Sequence, residues 1–173
     1  VEVKMMNEMK YDAMTIGNHV FDFDLDNMAR LFRMADFPVV CANYDVSATV
    51  LKDLVKPYVV FERDGVKIGV LGLGCQLEGM VQANKCVGVV YNDPVTVANE
   101  VAAVLKEKEG CDVVVCLSHL GVQYDENQLI PKTRNIDVVL GGHSHTFMKG
   151  PKTLLNMDGK NVSLMHTGKS GIY

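Results

Sequence analysis

No stretch of this 173-residue sequence approaches the roughly 18 consecutive apolar residues that a membrane-spanning helix needs, so no such helix is expected. Basic charge is also scarce. Lys and Arg number 17 against 21 Asp and Glu, for a net charge of −4 and an isoelectric point near 5.7. That balance argues against a nucleic-acid polymer as the main partner, because binding a phosphate backbone requires a basic face. It leaves room for a small anionic ligand held by a metal. The five cysteines, Cys41, Cys75, Cys86, Cys111 and Cys116, are odd in number and form no Cys-x-x-Cys pair. A disulfide framework and a structural zinc cluster therefore lack support, and Cys41, Cys111 and Cys116, in or beside apolar runs, read as small buried hydrophobes. Gly-x-Ser-x-Gly does not occur, and Ser118 is too close to His119 in sequence to make a hydrolase triad with it. Gly72-Leu73-Gly74 with Gly79 departs from the dinucleotide-binding spacing, and no clear helix opens there. No charged segment followed by an apolar one marks a signal peptide at the start, and the cysteines do not decide the compartment. Internal repeats, low-complexity tracts and interdomain linkers are absent as well.

The chain does carry 48% hydrophobic and 22% charged residues, enough to bury a real core in one domain over residues 1–173. Val3, Met6 and Met9 fall at helical spacing within Val1 to Lys10. Leu25, Met28, Leu31 and Phe32 do so within Asp24 to Ala35, with Asp24 and Asp26 near the positive end of the helix dipole. Pro38 opens a short strand, Val39 to Ala42. Tyr58 to Glu62 and Lys67 to Gly72 flank Arg63-Asp64-Gly65, a strong hairpin signal. After an irregular stretch from Gly74 to Asp93, Asp93-Pro94 supplies a cap and a first-turn proline for a helix over Val95 to Glu109. A strand (Asp112 to Leu117), a helix (Glu126 to Arg134) and a strand (Ile136 to Leu140) form a βαβ unit. Short β segments follow at Thr153 to Asn156 and Asn161 to His166, around a second Asp-Gly, Asp158-Gly159.

Four of the five histidines lie in three turns, each at the end of an apolar run: Ala13 to His19, Val113 to His119 and Val138 to His145. In an α/β sheet, loops at the carboxyl ends of strands face the ligand crevice. Three separate segments would thus bring imidazoles to one edge, as a metal site requires. Neutral imidazoles with one amide oxygen suit zinc, manganese, iron or cobalt better than calcium. Asp22, three residues after His19, would bias that imidazole toward its protonated form, suited to stabilising negative charge or protonating a leaving group. The alternative is that Asp22 caps the helix starting near Asp24 while His19 packs locally. His166 reads as structural.

Taken in order, Tyr11-Asp12-Ala13-Met14-Thr15-Ile16-Gly17-Asn18-His19-Val20-Phe21-Asp22, Ser118-His119-Leu120-Gly121 and Gly141-Gly142-His143-Ser144-His145-Thr146 closely resemble the 5′-nucleotidase branch of the calcineurin-like metallophosphoesterases. The likeness extends through Phe37 to Asn43, Gly65 to Gly69 and Asp137, and covers nearly the whole chain. It implies an α/β fold, a four-layer αββα sandwich with metals at the strand ends, here incomplete at both ends. It implies hydrolysis of phosphoric esters, most often nucleotides, by a metal-activated water. Members of the family also cleave cyclic 2′,3′-phosphodiesters, UDP-sugars and thiosulfate esters. Asn18, His119 and His143 match ligands of one metal, and His145 a position serving the other. His19 matches the catalytic histidine, oriented by Asp22. The cofactors implied are divalent ions, zinc, manganese, iron, cobalt or magnesium, two in the complete site. A periplasmic, cell-surface or secreted location follows from the same resemblance.

The sequence departs from the family in several places. Its first strand with Asp-x-His, and the Gly-Asp turn whose aspartate bridges the metals, precede the part that Val1 matches. The expectation is one well-held metal and weak or no hydrolysis by this chain alone. Val20 replaces the usual Glu of Gly-Asn-His-Glu, and Thr167 to Tyr173 stop where the family continues into another strand. Sheet edges left exposed in this way favour oligomers. Residues 1–173 are expected to match none of the separate C-terminal domain that recognises the base in many members of the family. Two other readings stay open on the sequence: a non-catalytic module with a degenerate metal site, and a mononuclear metal hydrolase of another ester.

Overall fold

A computed structural model describes residues 2–169. Its strands are β1 (Met14–Thr15), β2 (Val39–Val40), β3 (Tyr44–Asp45), β4 (Val55–Lys56), β5 (Tyr58–Arg63), β6 (Val66–Leu73), β7 (Val90–Tyr91), β8 (Val113–Ser118), β9 (Val138–Gly141), β10 (Lys152–Leu155) and β11 (Asn161–His166). Its helices are α1 (Glu2–Glu8), α2 (Leu25–Phe32), α3 (Pro94–Ala103) and α4 (Val122–Tyr124), the last two continuing as wide π turns over Val104–Lys108 and Asp125–Leu129.

The central sheet has six strands in the order β10-β11-β9-β8-β6-β5, and its inner members β11, β9, β8 and β6 run parallel. Strands buried on both faces read as continuous Val, Ile and Leu runs, and the pleat divides each run between the two faces. Val114, Cys116 and Ser118 of β8 and Val139 of β9 lie against α3 and the wide turn after α4. There Val114, Cys116 and Val139 join Leu71, Ala98, Ala102, Leu105, Leu129 and Leu164 in one core. Val115, Leu117 and Leu140 face the opposite way and line a cavity with the segment Met9–Ala13. Beyond the central sheet a second, three-stranded parallel sheet has the order β1-β2-β4. Ala42 donates its backbone N–H to the Gly72 carbonyl at 2.7 Å, tying the two sheets together. Gly72 thus serves sheet packing and not a dinucleotide turn. A second core of Ile16, Met28, Ala29, Phe32, Val39 and Val55 joins this small sheet to α2. Asn7 on α1 hydrogen-bonds the Met34 carbonyl and the Asp36 N–H beyond α2. The result is the α/β sandwich with helices outside two sheets that the resemblance implied.

Asp64 and Gly65 both take positive φ, +50° and +79°, as a two-residue hairpin between β5 and β6 requires. Asp24 caps α2 by accepting from the Asn27 N–H at 2.7 Å, and Asp93 caps α3 by accepting from Thr96 at 2.8 Å. Other elements differ from the sequence expectation. The helix expected from Glu126 begins at Val122, directly after Gly121 at φ +92°, because that residue reverses the chain at once after the strand-end loop. The segment Gly74 to Asp93 is less irregular than its composition suggests, since β7 pairs antiparallel with β3. Of the first expected helix, Val1 lies outside the described residues, as do residues 170–173 of the C-terminal stretch. All five cysteines are free, and burial raises the Cys41 thiol to about 12. No helix among the described residues is long and apolar enough to cross a membrane.

Candidate metal and catalytic site

The loops after β1, β8 and β9 meet at the carboxyl edge of the strands, each bringing histidine. The loop after β1 folds into a single 3₁₀ turn, Asn18–Phe21. From it the Asn18 carboxamide oxygen Oδ1 lies 3.1 Å from His119 Nε2 and 3.2 Å from His143 Nδ1. The two imidazole centroids are 5.1 Å apart and tilted by 56°. Close approach of backbone to ring makes this possible, because a Cβ on Gly17 would fall 2.6 Å from His119 Cε1. On the other side, His143 and His145 occupy the left-handed region at φ +71° and +54°. Conformations of this kind cost non-glycine residues on the order of 1 kcal/mol and cluster at functional sites.

Burial lowers the pKa of His119 to about 4, assisted by the charges of His143, His19 and His145. Burial likewise lowers His143, with His145 and His19 adding to the effect. Both rings are therefore neutral at physiological pH, with lone pairs available for a cation. The donor separations of 3.1 and 3.2 Å fit such an ion. Ligand bonds of about 2.0–2.1 Å place neighbouring donors about 2.8–3.0 Å apart in octahedral geometry and about 3.3–3.4 Å apart in tetrahedral geometry, a range that brackets these separations. Among the described residues no three His, Cys, Asp or Glu side chains converge on one point. The converging set is two imidazoles and one carboxamide.

His19 stands exposed on the same turn, and its Nδ1 lies 3.0 Å from Asp22 Oδ2. Asp24, not Asp22, caps α2, so the Asp22 carboxylate is free to orient the imidazole. His145 is exposed beside the pair and acts on both rings through its charge. A cleft of about 380 Å³ adjoins His143, bounded by Cys75, Tyr91, Asp93, Leu120 and Tyr124. A larger cavity of about 490 Å³ lies between the segment Met9–Ala13 and the central sheet and has no histidine in its lining.

His166 is buried away from this cluster, its Nε2 2.9 Å from Asp125 Oδ2. Ser118 Oγ donates to the other oxygen of Asp125 at 2.5 Å. Serine, aspartate and histidine do come together, but the aspartate is in the middle and the serine does not touch the imidazole, so no nucleophile is activated. Asp125 was not legible as a site-forming residue, because an acidic residue beside an expected helix start reads as solvated. Asn43, fully buried, entered the sequence reading only as the end of the matching stretch Phe37 to Asn43, with no role of its own. Its side chain receives the Gly74 N–H at 2.7 Å and donates to the Gly74 carbonyl at 2.8 Å, pinning the loop that passes the site.

No family model matches the chain. A trifunctional nucleotide phosphoesterase, YfkN, of Bacillus subtilis is 32% identical over 179 residues, covering 85% of this chain and 12% of that protein. A 5′-nucleotidase of Vibrio cholerae is 33% identical over 165 residues, covering 87% of this chain and 30% of its own length. Among solved structures, a 5′-nucleotidase precursor from Thermus thermophilus superposes with a TM-score of 0.90 at 30% identity, covering 97% of this chain and 35% of that one. Sandwich fold and strand-end histidines together define the class of calcineurin-like phosphoesterases. Within it, the chain belongs to the 5′-nucleotidase branch. It spans about a third or less of the length of these relatives.

Proposed function

We propose that this chain is the metal-binding portion of a phosphoric ester hydrolase acting on nucleotides, of the 5′-nucleotidase or 2′,3′-cyclic phosphodiesterase type. The observation that carries the proposal is the contact of Asn18 Oδ1 with both His119 Nε2 and His143 Nδ1, three donors from three different strand ends. These three residues would hold one divalent ion, and exposed His145 is the donor left for a second. When bound, such an ion polarises the phosphoryl oxygens and lowers the pKa of an attacking water.

The remaining chemistry belongs to the side chains. His119 and His143, kept neutral by burial, need not release a proton before coordinating. His19 keeps Nδ1 engaged with Asp22, which leaves Nε2 as the nitrogen available to the substrate. A protonated ring there neutralises charge building on the phosphoryl group and delivers a proton to the departing oxygen. The sequence relatives support a nucleotide as substrate, and the family resemblance supports an extracytoplasmic location.

Titration of the metal-free chain with Co²⁺ tests this reading. One equivalent should bind, and the visible spectrum of the bound ion should change on addition of AMP or inorganic phosphate but not of acetate. A Co²⁺ spectrum blind to phosphate, or identical in His119→Ala, would overturn it.

A further inference from the structure

Behind the histidines, three register partners close the ends of three adjacent parallel strands. Ser118 of β8 pairs with Gly141 of β9, which pairs with His166 of β11. Gly141 offers no side chain, and the His166 ring occupies the space over it. A Cβ at Gly141 would fall 1.9 Å from His166 Nε2. The ring thereby reaches across β9 to Asp125, whose other oxygen takes the Ser118 hydroxyl. Asp125, His166 and Ser118 are 0%, 1% and 2% exposed. Ser118 Oγ also accepts the Leu120 N–H at 3.2 Å, and the Ser118 carbonyl accepts the Gly142 N–H at 2.9 Å. Among the described residues His166 Nδ1 is buried without a hydrogen-bond partner, and Asp125 is the one that orients this ring through hydrogen bonding.

We propose that Asp125 and His166 are positioning residues. The carboxylate binds the ends of β8 and β11 together across Gly141, and so sets the approach of His119 and His143 to Asn18. A buried hydrogen-bonded pair serving stability alone could sit anywhere in the core. This one occupies the row of strand termini directly before the donors, where a carboxylate is required because only it offers two acceptor oxygens to two donors.

The role is separable from the metal reading, on which only the second of two readouts rests. The full chain is compared with His166→Gln, which keeps an N–H donor near Nε2, and with His166→Leu, which keeps bulk without a donor. In metal-free protein labelled at histidine nitrogens, the His119 and His143 ring resonances should shift in the leucine variant and stay in place in the glutamine variant. Co²⁺ affinity should fall about tenfold in the first and hold within about twofold in the second. If the leucine variant does not fold, Ser118→Ala is read by the same criteria. Unmoved ring resonances with unchanged Co²⁺ affinity in the leucine or alanine variant would overturn the positioning role. Shifted resonances in a chain whose parent binds no Co²⁺ would uphold it and overturn the metal reading instead.

Discussion

Asn18 and His119 are 101 positions apart in the chain, and Asn18 Oδ1 lies 3.1 Å from His119 Nε2. Only the parallel sheet can produce that contact, because it aligns the carboxyl ends of β8 and β9 and packs the small sheet bearing β1 beside them. A single residue just before Asn18 controls how closely the two can approach.

Gly17→Ala should separate stability from site geometry. The backbone there, φ −101° and ψ 168°, accommodates alanine, but the new Cβ would sit 2.6 Å from the His119 ring. The ring must yield, so Co²⁺ affinity should fall about tenfold while the unfolding free energy changes by less than about 1 kcal/mol. Calorimetry and metal titration on the same sample check this, and unchanged affinity would show that Gly17 does not place the ring.

Metal-free protein should lose stability in mild acid. The pKa of His119 is pulled from 6.5 to about 4, chiefly by burial, and that of His143 is lowered for the same reason. Between those values the unfolded chain binds protons that the folded chain does not, so this stability is present above about pH 6.5 and lost as pH falls toward about 4. Urea midpoints measured across that range should fall, and His119→Gln should reduce the drop. An equal drop in the variant would assign the pH sensitivity to other groups.

Asp125→Ala should cost about 3 kcal/mol or more, because it strands the Ser118 hydroxyl and the His166 Nε2–H in the core without an acceptor. Chemical denaturation measures this directly. A cost below about 1 kcal/mol would mean that the two donors find other partners.

His19→Ala should leave metal content intact and lower phosphate release from AMP by about 100-fold in the longest form of the protein that turns over. Asp22→Asn should weaken release less than that, since it disturbs only the orientation of the imidazole. Loss of metal in His19→Ala would instead make His19 a ligand.

Much of this arrangement was legible in the sequence, for stated reasons. Apolar runs ending in Gly-Asn-His, Ser-His and Gly-Gly-His-Ser-His marked strand ends. The parallel topology brought Asn18, His119 and His143 together, with His19 and Asp22 paired beside them. Asp64-Gly65 and Asp93 acted as their turn and capping chemistry dictates, whereas the cap of α2 is Asp24 and not the Asp22 that the sequence offered. The Asp125 clamp was not legible, because its meaning depends on strand register. No local pattern shows that Ser118, Gly141 and His166 share one row, or that Gly141 is glycine to make room for a ring from another strand. The two-strand pairing of β3 with β7 was hidden for a similar reason, since two residues are too few to display a period.

The most direct measurement of the central claim is metal content per chain by elemental mass spectrometry, on protein prepared without chelator and beside His119→Ala. One equivalent in the parent chain, lost in the variant, is the predicted result. No retained metal, or equal retention in both, would contradict the assignment of Asn18, His119 and His143 as a metal site.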